Sequence, residues 1–250
     1  VKSKLDVAAG NAAALDITKA IETSVSGRPG PVQVNVQFEL PLMPDVNEME
    51  WQPKSPSLKS ISKTEINQKH IEVPARGIFI VGDNADTEAI EEINRVSQEI
   101  GWPILWEPTA NAHMLTNAIS HGVVLLQADI APKVEAVVTF GTVGLSRAIL
   151  GLLKNVPIHI AIHSATAGPD LPDPVSSAKE ILECVPRLET KIDPEWLQQW
   201  QTLDNKAANV VETALVANTL TGPSAAQVVW NQAGQGDQLF VAASWPVRHL

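Results

Sequence analysis

The chain has 250 residues, 44% of them hydrophobic, and 18 basic against 28 acidic side chains give a formal net charge of −10. That length can enclose one or two domains, and the acidic balance excludes a nucleic-acid-binding protein, which needs a basic footprint. The single cysteine, Cys184, rules out a disulfide framework and fits a reducing cytoplasmic compartment. It reads as a buried, inert thiol in a helical pattern. No run of about 18 apolar residues is present to span a membrane, and the first residues lack the basic-then-apolar pattern of a signal peptide. The sequence opens on Val1 and closes soon after a short apolar run, so both ends read as cut.

In chain order, residues 5 to 22 are alanine-rich. Leu5, Ala8, Ala9, Ala12, Leu15, Ile17 and Ile21 fall near helical spacing, which predicts an amphipathic helix. Gly27, Pro29, Gly30 and Pro31 stop it. Val32 to Phe38 alternates apolar and polar residues, the signature of a strand with one buried face. Residues 45–74 carry Pro53, Pro56 and Pro74 with no periodicity and read as an interdomain linker.

From residue 75 strands and helices alternate. Gly77–Val81 is a buried strand, and Thr87–Ile100 a helix with a packing stripe of Ile90, Ile93, Val96 and Ile100. Trp102–Trp106 is a second strand, followed by a helix around Asn111–Ile119 and the apolar run Gly122–Leu126. Val134–Phe140 is a strand, Ser146 caps a helix through Leu153, Pro157–Ile162 is a strand, and a helix runs from about Ser176 to Cys184. This alternation predicts a Rossmann-like α/β domain over 75–190, a parallel sheet with helices on both faces. Beyond it, Asp193-Pro194-Glu195 starts a helix whose Trp196 and Trp200 lie one turn apart and pack. A helical run follows over Asn205–Leu220, then a short helix from Gly222 to Gln232. Leu239-Phe240-Val241 reads as a buried strand.

Several patterns of chemistry are weak here. The turn Gly82-Asp83-Asn84-Ala85 has one glycine where a dinucleotide fingerprint needs three, and Asp83 and Asp86 would repel phosphate. The six histidines (His70, His113, His121, His159, His163, His249) show no metal-ligand spacing, so no metal site is expected. A Gly-x-Ser-x-Gly elbow is absent. Arg147, after a strand end, reads as a helix-start surface arginine. The remaining candidates are Ser244 and Arg248. If Leu239–Val241 is a strand, both sit in the loop at its carboxyl end, where open α/β sheets bind ligands. Pro246 stiffens that loop, and a serine hydroxyl beside an arginine fork suits a carboxylate.

Two stretches carry a family resemblance. Arg28-Pro29-Gly30-Pro31-Val32, a strand holding Asn35, then Pro41-Leu42-Met43-Pro44 resembles the close of the pyrimidine-binding domain of thiamine-diphosphate enzymes. The run from Leu239 through Ser244 to Arg248 is similar to the start of the diphosphate-binding domain of the 2-succinyl-5-enolpyruvyl-6-hydroxy-3-cyclohexene-1-carboxylate (SEPHCHC) synthases of menaquinone biosynthesis. The resemblance implies an internal fragment in four parts: 1–44 ending the pyrimidine-binding domain, 45–74 a linker, 75–190 a central Rossmann-like domain without catalytic thiamine contacts, and 191–250 starting the diphosphate-binding domain. It implies thiamine diphosphate and Mg2+ as cofactors, 2-oxoglutarate and isochorismate as substrates, and Ser244 and Arg248 as substrate-binding residues. It also implies a transferase activity for a full-length homodimer or homotetramer.

The resemblance places the activating glutamate upstream of Val1 and the magnesium motif beyond Leu250. No catalytic residue is therefore expected within this stretch, and the fragment alone is expected to be inactive. Two other readings stay open: a thiamine-diphosphate enzyme of the acetolactate synthase type, and a non-catalytic Rossmann-like module binding a ligand near Arg147.

Overall fold

The computed structural model describes residues 3–8, 13–26, 30–38, 69–83, 87–110, 115–163, 173–216, 220–242 and 244–249. They fall into two compact units, one holding the elements before residue 39 and the other everything from Lys69 on. In the first unit, β1 (Ser3–Ala8) pairs in parallel with β2 (Val32–Gln37), with α1 (Ala13–Val25) between them in sequence. β2 half-buries alternate residues, with the alternation its sequence predicts. The single helix expected over 5–22 is instead a strand followed by a helix. Leu5 and Val7 alternate with the exposed Lys4 and Asp6, and they lie in register with Val34 and Val36. A partner strand satisfies this backbone, and that partner is invisible in a local window.

The second unit is built on a five-stranded sheet in the order β5-β4-β6-β7-β8: Ile104–Trp106, Gly77–Val81, Ala136–Phe140, Ile158–Ile162 and Glu180–Leu182. Every neighbouring pair is parallel. All five residues of β4 and of β6 are buried, the mark of central strands covered on both faces. α2 (Thr87–Ile100) joins β4 to β5, and its stripe of Ile90, Ile93, Val96 and Ile100 is buried as its period predicts. α4 (Arg147–Asn155) joins β6 to β7, in the opposite direction across the sheet. Right-handed crossovers running in opposite directions put these two helices on opposite faces. α3 (Gly122–Gln127), between β5 and β6, packs against α4 and against α5 (Trp196–Val216). The sheet is thus doubly wound, and the Rossmann-like α/β expectation holds.

Tryptophans fix the amino end of this sheet. The indole of Trp102 donates to Ala75 O at 3.0 Å and tilts against Phe79, with ring centroids 5.4 Å apart. The indole of Trp196, at the start of α5, donates to Gly77 O at 2.7 Å and meets Trp200 edge-on at 6.0 Å. Both α5 tryptophans are buried, so they pack as expected. Asp193 accepts from Glu195 N at 3.1 Å to start this helix and pairs with Arg76 at 3.2 Å. Further along, the Asp204 carboxylate accepts from His121 N at 2.7 Å, tying α5 to the start of α3.

Other elements differ from their sequence patterns. The linker expected through residue 74 lies outside the described residues up to 68, but His70–Glu72 is β3, paired in parallel with β9 (Arg187–Glu189). The helix expected at 111–119 is not helical over 115–119, and residues 111–114 lie outside the described set. There Ile104 N donates to Asn117 O and Ile119 N to Ile104 O, both at 2.9 Å, while the Asn117 amide reaches Ser97. Gly122–Gln127 is a helix whose first residue, Gly122, packs against Leu105, where any side chain would collide.

The helix expected at 176–184 is broken by Ser176, which adopts a left-handed φ of 54°. The Asp173 carboxylate takes the amides of Val175 and Ala178, and the chain then enters β8. Cys184 follows that strand half-buried, its thiol pushed up by burial and by Glu183. The run expected over 205–220 is continuous with the tryptophan helix as one 21-residue α5 ending at Val216. α6 (Gly222–Gln232) forms as expected, with a Thr221–Ser224 capping box.

Gly82, just past β4, carries the tightest backbone approach, since a Cβ there would lie 2.2 Å from Thr142 O. We expect Gly82→Ala to destabilise by roughly 1–3 kcal/mol through forced backbone movement. Thermal unfolding should then show a melting temperature lower by about 2–10 °C; an unchanged melt would contradict this packing.

Candidate functional site

In a doubly wound sheet the ligand crevice opens at the carboxyl ends of the strands where crossovers diverge, here between β4 and β6. This edge is closed by backbone. Gly82 N donates to Phe140 O, and Asp83 and Thr142 exchange N–H···O bonds, all at 2.8 Å. Gly141, with φ of 73°, turns the chain out of β6.

Beside the bridge stands Glu107, immediately after β5 and only 1% exposed. Its amide donates to Val81 O at 2.9 Å. Its carboxylate accepts three backbone N–H bonds, from Gly144 at 3.0 Å and from Leu145 and Ser146 at 2.8 Å each. These residues lead into α4, where Ser146 is the N-cap as its sequence predicts. A buried carboxylate is tolerable only with such partners, and the helix start adds a favourable field. Sequence reading missed this residue. Its signal was an acid directly following a buried strand and preceding Pro108. Arg147 is exposed at the first turn of α4, as a surface arginine would be.

His159, in β7 and 1% exposed, forms the second buried polar cluster. Its ring nitrogens meet Thr139 Oγ1 at 2.9 Å and Ser177 Oγ at 2.8 Å, and Asp173 lies 3.9 Å away. Burial pushes the imidazole below its ordinary value, and the Asp173 charge partly opposes this. Serine and aspartate approach the same ring nitrogen, so the group is not arranged as a nucleophile–base–acid relay. Its evident work is to hold residues 173–178 against the sheet. Among the described residues, no three His, Cys, Asp or Glu side chains come together as a metal site.

The carboxyl-terminal stretch departs from expectation. Residues 239–242 form no strand, and Phe240 is 95% exposed. A strand persists only when hydrogen-bonded to a neighbour, and no described strand pairs with this one. Pro246 opens a single helical turn, α7 (Pro246–His249), an N1 role for which its fixed φ is suited. Ser244 has a left-handed φ of 90°. Arg248 does meet Ser244, but through a guanidinium bond to its backbone carbonyl, and both residues are exposed. Trp245 stacks on His249 with centroids 5.4 Å apart. The two candidate residues are therefore together, on an open turn with no described cleft around it.

The fold and its closed edge define a class first: a doubly wound α/β unit whose switch point is filled by its own chain. No protein-family model matches the chain. It is similar, however, to curated proteins named SEPHCHC synthase. It is 29% identical to that of Nocardioides sp. (strain JS614), over 88% of this chain and 41% of the relative. To the Kineococcus radiotolerans protein it is 31% identical, over 89% and 41% respectively, and to that of Paenarthrobacter aurescens 26% identical, over 100% and 46%. The chain thus spans less than half the length of the curated relatives it matches, and the similarity runs over 88–100% of its own length.

The His159 cluster gives a pH prediction. With its pKa lowered by folding, the neutral ring stabilises fully above the unfolded value of 6.5, and that contribution is lost as pH falls below 6.5 toward the folded value. The melting temperature should drop between pH 7.5 and 5.5 more steeply in the native sequence than in His159→Gln. Equal slopes would show that the ring titrates as it does in the unfolded chain.

Proposed function

We propose that this chain is a segment of a SEPHCHC synthase, and that the whole enzyme decarboxylates 2-oxoglutarate and adds the product to isochorismate in menaquinone biosynthesis. The observation that carries this reading is similarity across 88–100% of the chain to relatives sharing that name. The four-part organisation, with 75–190 central between two catalytic-domain segments, is part of the proposal. So are a cytoplasmic location and a homodimeric or homotetrameric whole enzyme. Among the described residues no helix is long and apolar enough to cross a membrane.

Thiamine diphosphate with Mg2+ would supply the carbanion-stabilising chemistry when bound. The residues described here do not suit it. The crevice where a diphosphate would meet the central sheet holds a carboxylate and a backbone bridge instead. The role assigned to this chain is to scaffold the whole enzyme and to contribute Ser244 and Arg248 to the substrate. Both substrates carry carboxylates. An arginine has five N–H donors, and the bond to Ser244 O uses one, so the rest of the fork remains for a bidentate contact. The Ser244 hydroxyl would add a neutral hydrogen bond.

Two measurements test this. The purified chain, supplied with thiamine diphosphate, Mg2+, 2-oxoglutarate and isochorismate, should give no SEPHCHC; steady turnover would contradict the division of labour. In the full-length enzyme Arg248→Ala should lower kcat/KM by about 10–100-fold, the loss expected for one charge-assisted contact. A variant with native kinetics would remove Arg248 from the substrate site.

A further inference from the structure

The three N–H groups of Gly144, Leu145 and Ser146, converging at the start of a nine-residue helix beside a switch point, form the kind of nest that elsewhere receives a ligand's phosphate or carboxylate. In this protein both oxygens of Glu107 already occupy it, from within the fold. A second, independent feature closes the same edge. The Asp83–Thr142 bridge draws the ends of β4 and β6 together so closely that Thr142 O stands where a single added carbon on Gly82 would fall. A carbonyl oxygen at that spot also repels any incoming phosphate.

The geometry points to a self-occluded crevice: Glu107 is an internal anion that fills the ligand position of this doubly wound sheet and sets the path of 141–146. The central unit thereby keeps the fold of a cofactor-binding sheet while refusing diphosphate-bearing cofactors at its switch point. Glu107 is a positioning residue here, acting on the loop rather than on any substrate. The inference does not rest on the synthase reading, since it concerns only residues within one unit.

Hydrogen exchange and thermal unfolding of the 250-residue chain test it. In the native sequence the amides of Gly144, Leu145 and Ser146 should exchange at least about 100-fold more slowly than an open loop, in line with donors bonded to a buried carboxylate. At low millimolar concentration, below the range where phosphate stabilises proteins generally, inorganic phosphate or formate, compared with chloride at equal ionic strength, should leave the native melting temperature unchanged. Glu107→Ala should lower that temperature by roughly 5–10 °C, and formate, but not chloride, should recover about half of the loss by entering the vacated nest. Glu107→Gln should lose stability without formate recovery, because its amide still fills the space.

Rapid exchange of the three native amides would overturn the proposal. So would a Glu107→Ala variant that melts like the native chain, or formate acting equally on both. Should the alanine variant fail to fold, the native amide exchange and the native phosphate arm decide alone.

Discussion

The second unit depends on how closely two indoles close upon Gly77. This glycine begins β4, one of the strands with neighbours on both sides, and a side-chain carbon there would sit 2.1 Å from the ring of Trp102. From the other direction Trp196 reaches in to hydrogen-bond the Gly77 carbonyl. One missing Cβ therefore lets the segment after α2 and the start of α5 anchor on the same residue of this internal strand. Each indole N–H finds a backbone carbonyl, which removes the penalty of burying a polar group. Arg76 extends the arrangement outward, its guanidinium 6.0 Å from the Trp196 ring and paired with Asp193. The amino end of the sheet is consequently its most constrained part.

The opposite end is constrained by polarity instead of packing. There the strand ends are laced by N–H···O bonds, and a buried carboxylate orders the loop into α4. The sheet is thus tied at one end by tryptophans and at the other by Glu107. The contrast with the carboxyl-terminal stretch is physical. Val228, Val229, Trp230, Phe240 and Trp245 are all exposed, so the apolar content of α6 and the residues after it finds no core among the described residues.

How much of this was legible in the sequence follows from how local each signal is. The α2 stripe, the Ser146 cap, the Gly222–Pro223–Ser224 helix start and the apolar strands β4, β6 and β7 are written in adjacent residues, and each formed where its pattern placed it. β1, β3, β8 and β9 were missed because each mixes charged and apolar residues without a continuous apolar run and exists by virtue of a partner elsewhere in the chain. An alanine-rich period or a scatter of prolines outweighed them in a local reading. At the candidate site, the single glycine after β4 is a local pattern, read from adjacent residues. Glu107 accepting the amides of 144–146 needs the meeting of residues far apart in sequence, which no spacing rule provides. Leu239–Val241 failed in the opposite sense. An apolar triplet has strand character by composition, yet hydrogen bonds from a neighbour are what make it a strand.

The pairing of β3 with β9 has an architectural corollary. Residues 70–72 and 187–189 run side by side in the same direction, so the points where the chain enters and leaves the five-stranded body lie within roughly 10 Å, about three residues of strand rise. The chain that leaves through this clasp turns straight back, since Trp196 of α5 bonds Gly77 O and Asp204 takes the amide of His121. Entry, exit and returning helix therefore form one closed seam, and any change of length at the clasp has to keep Gly77 and His121 within reach of α5.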